Sequence, residues 1–177
     1  MDIYLREIIR SDLAEINRWR NDKNLIDYLA APFRFIGKEI DERWFDGYLT
    51  SRSNNVRLAI CKKDTSQIIG VVYLLDIDWI NRSTEYAIMI GESTLLGAGA
   101  GFQATIEILN HAFNDLNLQR VSLTVLETNE RARQLYKKVG FIEEGRLRKA
   151  VFKNGQYRDL ICMSIFENEY KLTVSSQ

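Results

Sequence analysis

A chain of 177 residues that is 46% hydrophobic and 11% aromatic holds enough apolar material for a substantial core, and its length favours one domain over two. Lysine and arginine total 24, matching 24 aspartates and glutamates, so the net charge is zero and no Arg/Lys-rich run provides the basic footprint of a nucleic-acid binder. Nothing nears the roughly 18 apolar residues of a membrane span, and "MDIYLREIIR" has neither the basic start nor the apolar run of a secretion signal.

In chain order, "DIYLREI" (2–8) reads as a strand, and Ser11 or Asp12 as the N-cap of a helix through "LAEINRWRN". Pro32, the only proline, marks a loop before a second helix near Lys38 to Thr50. "VRLAICKK" and "IIGVVYLLDID" are apolar, β-branched runs joined by the polar turn "DTSQ", which predicts an antiparallel hairpin. Within the strand "TEYAIMI", the period of two sends Thr84, Tyr86, Ile88 and Ile90 to one face and Glu85, Ala87 and Met89 to the other. A helix from about Gly99 to Leu116 carries Phe102, Ile106, Leu109, Ala112, Phe113 and Leu116 at helical spacing. "RVSLTVLE" is a strand, and "TNERARQLYKKVGF" a short helix capped by Thr128 or Asn129 and stopped at Gly140. Asn154-Gly155 between two strand-like runs predicts a closing hairpin, and the chain from Tyr170 onward is expected to fray. The order gives a mixed α/β layer with both antiparallel and parallel pairing. Cys61 and Cys162 lie in apparent strands without CxxC or metal-ligand spacing, so they read as reduced core thiols of a cytoplasmic protein, with no membrane and no nucleic-acid partner.

Charge is unevenly spread. Residues 120–158 hold ten Lys/Arg against four Asp/Glu, and 61–119 hold three against seven, so the C-terminal third could face a polyanionic small molecule and the middle a cation. Within the acidic stretch lies "LLGAGAGF", with Gly97, Gly99 and Gly101 at alternate positions. A P-loop is excluded, because Phe102 and Gln103 stand where Lys and Ser/Thr are required. A dinucleotide fingerprint fails on its third glycine, which comes one residue early. What remains is a strand–loop–helix turn whose amides and helix N-terminus grip a pyrophosphate, or glycines that only let helix and sheet pack closely.

The strand "TEYAIMI", the loop "LLGAGAGF", the strand "VSLTVLETN", the helix "ERARQLYKKVGF" and the following "EEG" stand in the order and spacing of the GNAT superfamily of acetyl-CoA-dependent N-acetyltransferases. The chain resembles that family over nearly its whole length, most closely from Asn81 to Tyr170. "INRSTEY", "AFNDLNLQRVSLTV" and "FKNGQYRDLICMSI" are similar to the branch of ribosomal-protein N-terminal acetyltransferases and bacterial spermidine N-acetyltransferases. The pattern N-x-x-A-x-x-L-Y-x-K-x-G-F, Asn129 to Phe141, is highly specific. The resemblance implies a single α/β domain over residues 1–170, with a mixed, twisted central sheet of about seven strands flanked by helices and a frayed tail at 171–177. It also implies acetyl-CoA as co-substrate, no metal, and a homodimer or larger assembly.

Site residues follow from the same resemblance. The edge of Ile88, Met89 and Ile90 bonds the pantetheine arm, and an amide near Met89 or Ile90 polarises the thioester. Leu96, Gly97, Ala98, Gly99, Ala100 and Gly101 form the pyrophosphate cradle; Leu96 stands where the family carries Arg or Gln, so the amides act without that side chain. Asn129, Arg131 and Arg133 fall near the nucleotide, where the arginines or Lys137 either supply the missing cation or are ordinary solvated helix residues. Tyr136 matches the tyrosine that protonates the departing thiolate, although its place in the stripe Ala132, Leu135, Tyr136, Val139 also suits a core residue. Glu85, an acid in an apolar strand, is either the base that takes the amine proton through water or a half-exposed strand glutamate. His111 with Glu107 and Asp115 at i±4 suits a metal on paper and a solvated polar face on balance.

Acceptor choice falls to Arg20–Tyr48 and the "LDIDWINRS" turn. Asp76, Asp78, Glu85 and the Glu39/Asp41/Glu42/Asp46 group could serve a polyamine, whereas "RWRND" is similar to relatives that act on amino-sugar nucleotides or on protein N-termini. The expectation is therefore an N-acetyltransferase acting on a primary amine, spermidine or another small amine ahead of a ribosomal-protein N-terminus. A non-catalytic acyl-CoA-binding module is the reading from a different class.

Overall fold

The computed structural model describes residues 2–170. One seven-stranded sheet, in the order β1-β2-β3-β4-β5-β7-β6, forms its centre, in agreement with the mixed α/β expectation. The β-branched runs β2 (Val56–Lys62) and β3 (Ile68–Asp78) pair antiparallel as the "DTSQ" turn predicts, and β1 (Ile3–Glu7) adds to the outer edge of β2. β4 (Ser83–Ile90) continues the antiparallel run against β3.

Alternation along these strands feeds two cores. On one face α4 (Ala100–Asn110) lays Ala104, Ile108 and Leu109 over Ile60, Val72, Leu74 and Tyr86. On the other, α1 (Leu13–Arg20) and α3 (Lys38–Thr50) press Ile16, Trp19 and Phe45 onto Ala59, Cys61, Val71 and Met89. Gly91, just past β4, is required by this second contact: a Cβ there would fall on the Trp19 indole. A short α2 (Lys23–Ile26), absent from the sequence expectation, is held by the Asp22 carboxylate accepting from the amides of Asn24 at 2.9 Å and Leu25 at 3.4 Å. Asp12 stands at the N-cap of α1 as expected, but its side chain makes no cap bond there. It reaches backward to accept from the Ile9 amide at 2.9 Å and the Arg6 guanidinium at 2.7 and 2.8 Å, and a 3-10 turn at Arg10–Asp12 leads into α1.

β5 (Arg120–Leu126) lies parallel to β4, yet the two pair only from Ser83↔Arg120 to Glu85↔Ser122. Beyond Glu85 they no longer pair with each other, each keeping only its outer neighbour, and so part the sheet at its centre. The connection returns through α4, which ends at Asn110; the next five residues, His111–Asp115, wind into a π turn in place of the expected continuous helix. That wider turn keeps Ala112 and Phe113 in the core while the Leu118 amide closes on the Ala112 carbonyl at 2.9 Å.

α5 (Glu130–Val139) starts where Asn129 Oδ1 accepts from the Ala132 amide and stops at Gly140 in the left-handed region, φ 112°. β6 (Ile142–Lys153) and β7 (Gln156–Phe166) close the sheet as a hairpin, with Asn154 and Gly155 at φ 50° and 77° supplying the expected turn. Tyr170 corrects the expected fraying: it is buried against Phe113, and its hydroxyl donates to the Ile106 carbonyl at 3.1 Å. Residues 171–177, the expected tail, lie outside the described part. Among the described residues no helix is long and apolar enough to cross a membrane.

Candidate active site

The parting of β4 and β5 opens into a cavity of about 670 Å³ that runs through the sheet. Ala87, Ile88, Met89 and Ile90 form one wall and Thr124, Val125 and Leu126 the other. Strand register decides which amides face it. The Gly91 amide donates to Ile69 on β3, so in the two-residue alternation Met89 and Ala87 also turn their amides to β3, and Ile88 and Ile90 turn theirs to the cleft. Of the two expected polarising amides, Ile90 therefore has the right direction and Met89 does not; Met89 contributes its side chain to the wall.

At one end stands the glycine loop. Gly97 and Gly99 adopt φ 89° and 90°, a region costly for residues with a Cβ, and Gly99 sits at the N-terminus of α4. The first intrahelical bond is Gln103 N–H to the Gly99 carbonyl, at 3.0 Å, which leaves the amides of Ala100, Gly101 and Phe102 without intrahelical partners. Among the described residues no side chain caps them. Leu96, Gly97, Gly99 and Gly101 line the cavity; Ala98 is exposed away from it, and Ala100 is buried in the core. Three unsatisfied amides at the positive end of a helix suit a diphosphate.

Cations come from α5. Arg131, Leu135 and Lys138, at i, i+4 and i+7, face the cavity beside Tyr136; Lys138 Nζ lies 4.8 Å from the centre of the Phe102 ring and Arg131 5.3 Å from that of Tyr28. Lys138 is the cation that the sequence reading missed, and the helical spacing from Arg131 was the signal for it. Arg133 is elsewhere: it pairs with Glu130 at 2.9 Å and Glu143 at 3.3 Å, off the cavity, and Lys137 is exposed outside it. Asn129 lines the cavity while its side chain is spent on structure, its Oδ1 capping α5 and its Nδ2 donating to the Tyr28 carbonyl at 2.9 Å.

Tyr136 is both core and site. Its ring packs edge-on to Tyr86 at 5.9 Å and tilted to Phe141 at 5.7 Å, and it borders the cavity. Burial pushes its hydroxyl above the usual tyrosine range, because a phenolate would be poorly solvated, so it remains a proton donor. Glu85 stands where β4 and β5 separate, exposed and lining the cavity, with no ion-pair partner among the described residues.

The opposite end is walled by α1–α3, β2 and β3, through Arg20, Tyr28, Trp44, Arg57 and Tyr73. The acidic group expected there is engaged elsewhere. Asp41 is buried and bonded to Arg20 and to Asn17, Glu42 and Asp46 pair with Arg10, and Asp78 accepts from the amides of Ile80 and Asn81 at 2.9 and 2.8 Å. None of these lines the cavity, nor do Glu39 or Asp76. His111 bonds Asp115 at 2.7 Å away from this cavity, and no group of three metal-ligating side chains occurs among the described residues.

A sheet split between a parallel pair, with cleft-facing amides on one strand, an amide cradle at the next helix and an acid and a phenol along one cavity, defines an acyltransferase that draws on an acyl-CoA. Residues 2–142 match the acetyltransferase (GNAT) domain model, so the chain belongs to that family. It is 32% identical to a spermidine N(1)-acetyltransferase of Vibrio cholerae over 94% of either chain, and 30% identical to that of Escherichia coli K12 over 95% of this chain and 88% of the other. A putative ribosomal N-acetyltransferase of Bacillus subtilis is 30% identical over 59% of this chain and 56% of its own. Among solved structures, the Vibrio cholerae spermidine N-acetyltransferase in complex with CoA and spermine superposes with a TM-score of 0.88 at 29% identity, covering 96% of this chain and 98% of that one. The chain is an acetyl-CoA-dependent N-acetyltransferase.

Proposed function

We propose that residues 1–170 act as one cytoplasmic domain that transfers the acetyl group of acetyl-CoA to the primary amine of a small acceptor such as spermidine, by direct attack in a ternary complex, and that it does so as a homodimer or larger assembly. The relatives named for spermidine acetylation support the acceptor, and the convergence of Glu85, Tyr136 and the Ile90 amide on one cavity carries the mechanism.

Bound acetyl-CoA supplies a thioester carbonyl; every other part comes from the chain. The amides of Ala100, Gly101 and Phe102, with Lys138 and Arg131, hold the diphosphate, and the Ile88 and Ile90 amides fix the pantetheine arm. Glu85 takes a proton from the acceptor ammonium through water, so that a neutral nitrogen attacks. The N–C bond forms and the C–S bond breaks while the Ile90 amide stabilises the carbonyl oxygen. Tyr136 gives its proton to the departing sulfur, and the second proton, lost by the nitrogen as it becomes an amide, restores the phenol.

Thiol release from acetyl-CoA, followed with polyamines, amino sugars and N-terminal peptides, tests the reading. Spermidine should support turnover, and Glu85→Gln should cut kcat by about 100-fold at neutral pH. Background rates with every acceptor while CoA still binds would sink it, and a response to peptides alone would replace spermidine with a protein N-terminus.

A further inference from the structure

Arg57 on β2 lies directly opposite Tyr73 on β3, and its guanidinium sits 4.9 Å from the centre of that ring, 5.2 Å from Trp44 and 5.8 Å from Tyr48. It lines the cavity, half-buried, and among the described residues its N–H groups have no acceptor and no carboxylate lies within ion-pair distance. Arg20 on the same wall is unlike it, because the buried Asp41 already neutralises that guanidinium. Rings against a guanidinium engage its faces and leave the planar fork of donors free, and a partly desolvated cation gains most from an anion that completes it. Glu85 is the only acid lining the cavity among the described residues. One chamber thus presents an unpaired carboxylate and an unpaired guanidinium.

We propose that the acceptors of this enzyme include amines that carry a carboxylate or phosphate, with the anion on Arg57 and the nitrogen beside Glu85. The proposal rests on the acetyl-transfer reading above, and the bonds made and broken are the same: N–C forms, C–S breaks, and the ammonium nitrogen gives up two protons, one to Glu85 through water and one that replaces the proton Tyr136 passes to the sulfur. Arg57, Tyr73 and Ala87 share one row across three strands, and Glu85 lies two residues along β4 on the same face. Two strand spacings of about 4.8 Å and two residues of about 3.4 Å set the Cα atoms roughly 12 Å apart. That separation favours an ω-amino acid or aminoalkyl phosphate with several methylenes over an α-amino acid.

Calorimetric binding of 6-aminohexanoate and 4-aminobutyl phosphate in the presence of CoA, with thiol release for the same amines and spermidine, tests this in the wild type, Arg57→Met and Arg57→Lys. The expected result is binding and turnover of at least one anionic amine, with the kcat/KM ratio of that amine to spermidine falling at least tenfold in Arg57→Met, mainly through KM. Arg57→Lys should restore part of it, which separates charge recognition from lost packing. The better substrate of the pair says whether carboxylate or phosphate is preferred. Turnover of spermidine but of neither anionic amine overturns the proposal and leaves the acetyltransferase reading standing, as does a ratio that Arg57→Met does not move. Silence with every amine overturns both.

Discussion

The ammonium of Lys153 donates to the Leu29 carbonyl at 2.8 Å, joining the end of β6 to a loop 124 residues earlier in the chain. The same nitrogen donates to Ile26 at 2.7 Å and Ala31 at 2.8 Å, so its three donors are all used on one short segment. Burial holds the Lys153 pKa below the usual lysine range, and the hydrogen bonds are what offset that loss of water. Ile26 and residues 28–31 wall the cavity, which makes Lys153 a positioning residue for that wall. Lys153→Met strands three carbonyls and should lower the unfolding free energy by about 3 kcal/mol while raising KM more than it lowers kcat. Urea unfolding with steady-state kinetics checks this, and a loss below about 1 kcal/mol with unchanged KM would count against the clamp.

Tyr136→Phe removes the hydroxyl proposed to protonate the departing thiolate and keeps the ring contacts with Tyr86 and Phe141. Turnover should fall at least tenfold with CoA affinity unchanged; an unaltered kcat removes Tyr136 from the mechanism.

Alkaline stability should follow the buried phenols. Burial raises the folded-state pKa of Tyr73, Tyr86 and Tyr136 above the ordinary value of about 10. The folded chain then keeps protons that the unfolded chain has lost. This contribution to stability is complete below pH ~10 and is lost as pH rises past it, so the urea midpoint should decline above pH ~10. Tyr136→Phe should flatten the decline, and an identical slope in wild type and variant argues against the burial effect.

Lys138→Ala should weaken CoA binding several-fold and make it less sensitive to salt, because a cation beside the amide cradle acts through a screened field. Arg133→Ala, which alters a side chain paired with Glu130 and Glu143 off the cavity, should leave the CoA dissociation constant within about twofold. Calorimetry at two ionic strengths separates the two residues.

Gly91→Ala tests the close approach of β4 to α1. A Cβ at Gly91 overlaps the Trp19 indole, which is fully buried, so the helix must shift; the expected cost is about 1–3 kcal/mol. A melting temperature equal to wild type would show that α1 yields freely.

Local chemistry made much of the fold legible. The β-branched runs, the Asn129 cap, the Gly140 stop and the Asn154-Gly155 turn each act within a few residues, and each element stands where those signals put it. α2 escaped notice because four residues carry no period. The π turn escaped because its reason, keeping Ala112 and Phe113 in the core, belongs to the sheet beneath it. Within the site, Glu85 and Tyr136 were legible as an acid in an apolar strand and a tyrosine inside a specific motif. Arg133 was misplaced, since its engagement by Glu143 depends on how β6 packs beside α5.

By itself the sequence determined the acetyltransferase family, and it marked the glycine loop, the Tyr136 phenol and the Glu85 carboxylate, which border one cavity. Those are properties of residue types at fixed short spacings. Tertiary structure alone decided which amides face the cleft, that Lys138 stands at the cavity in place of Arg133, that Asp41, Glu42 and Asp46 of α3 are already neutralised, and that Arg57 is left without an ion-pair partner among the described residues, against aromatic rings. Each depends on the register between strands or on partners distant in the chain. Whether a charge is free or spent is fixed by its neighbours in space, and a linear spacing does not encode those neighbours.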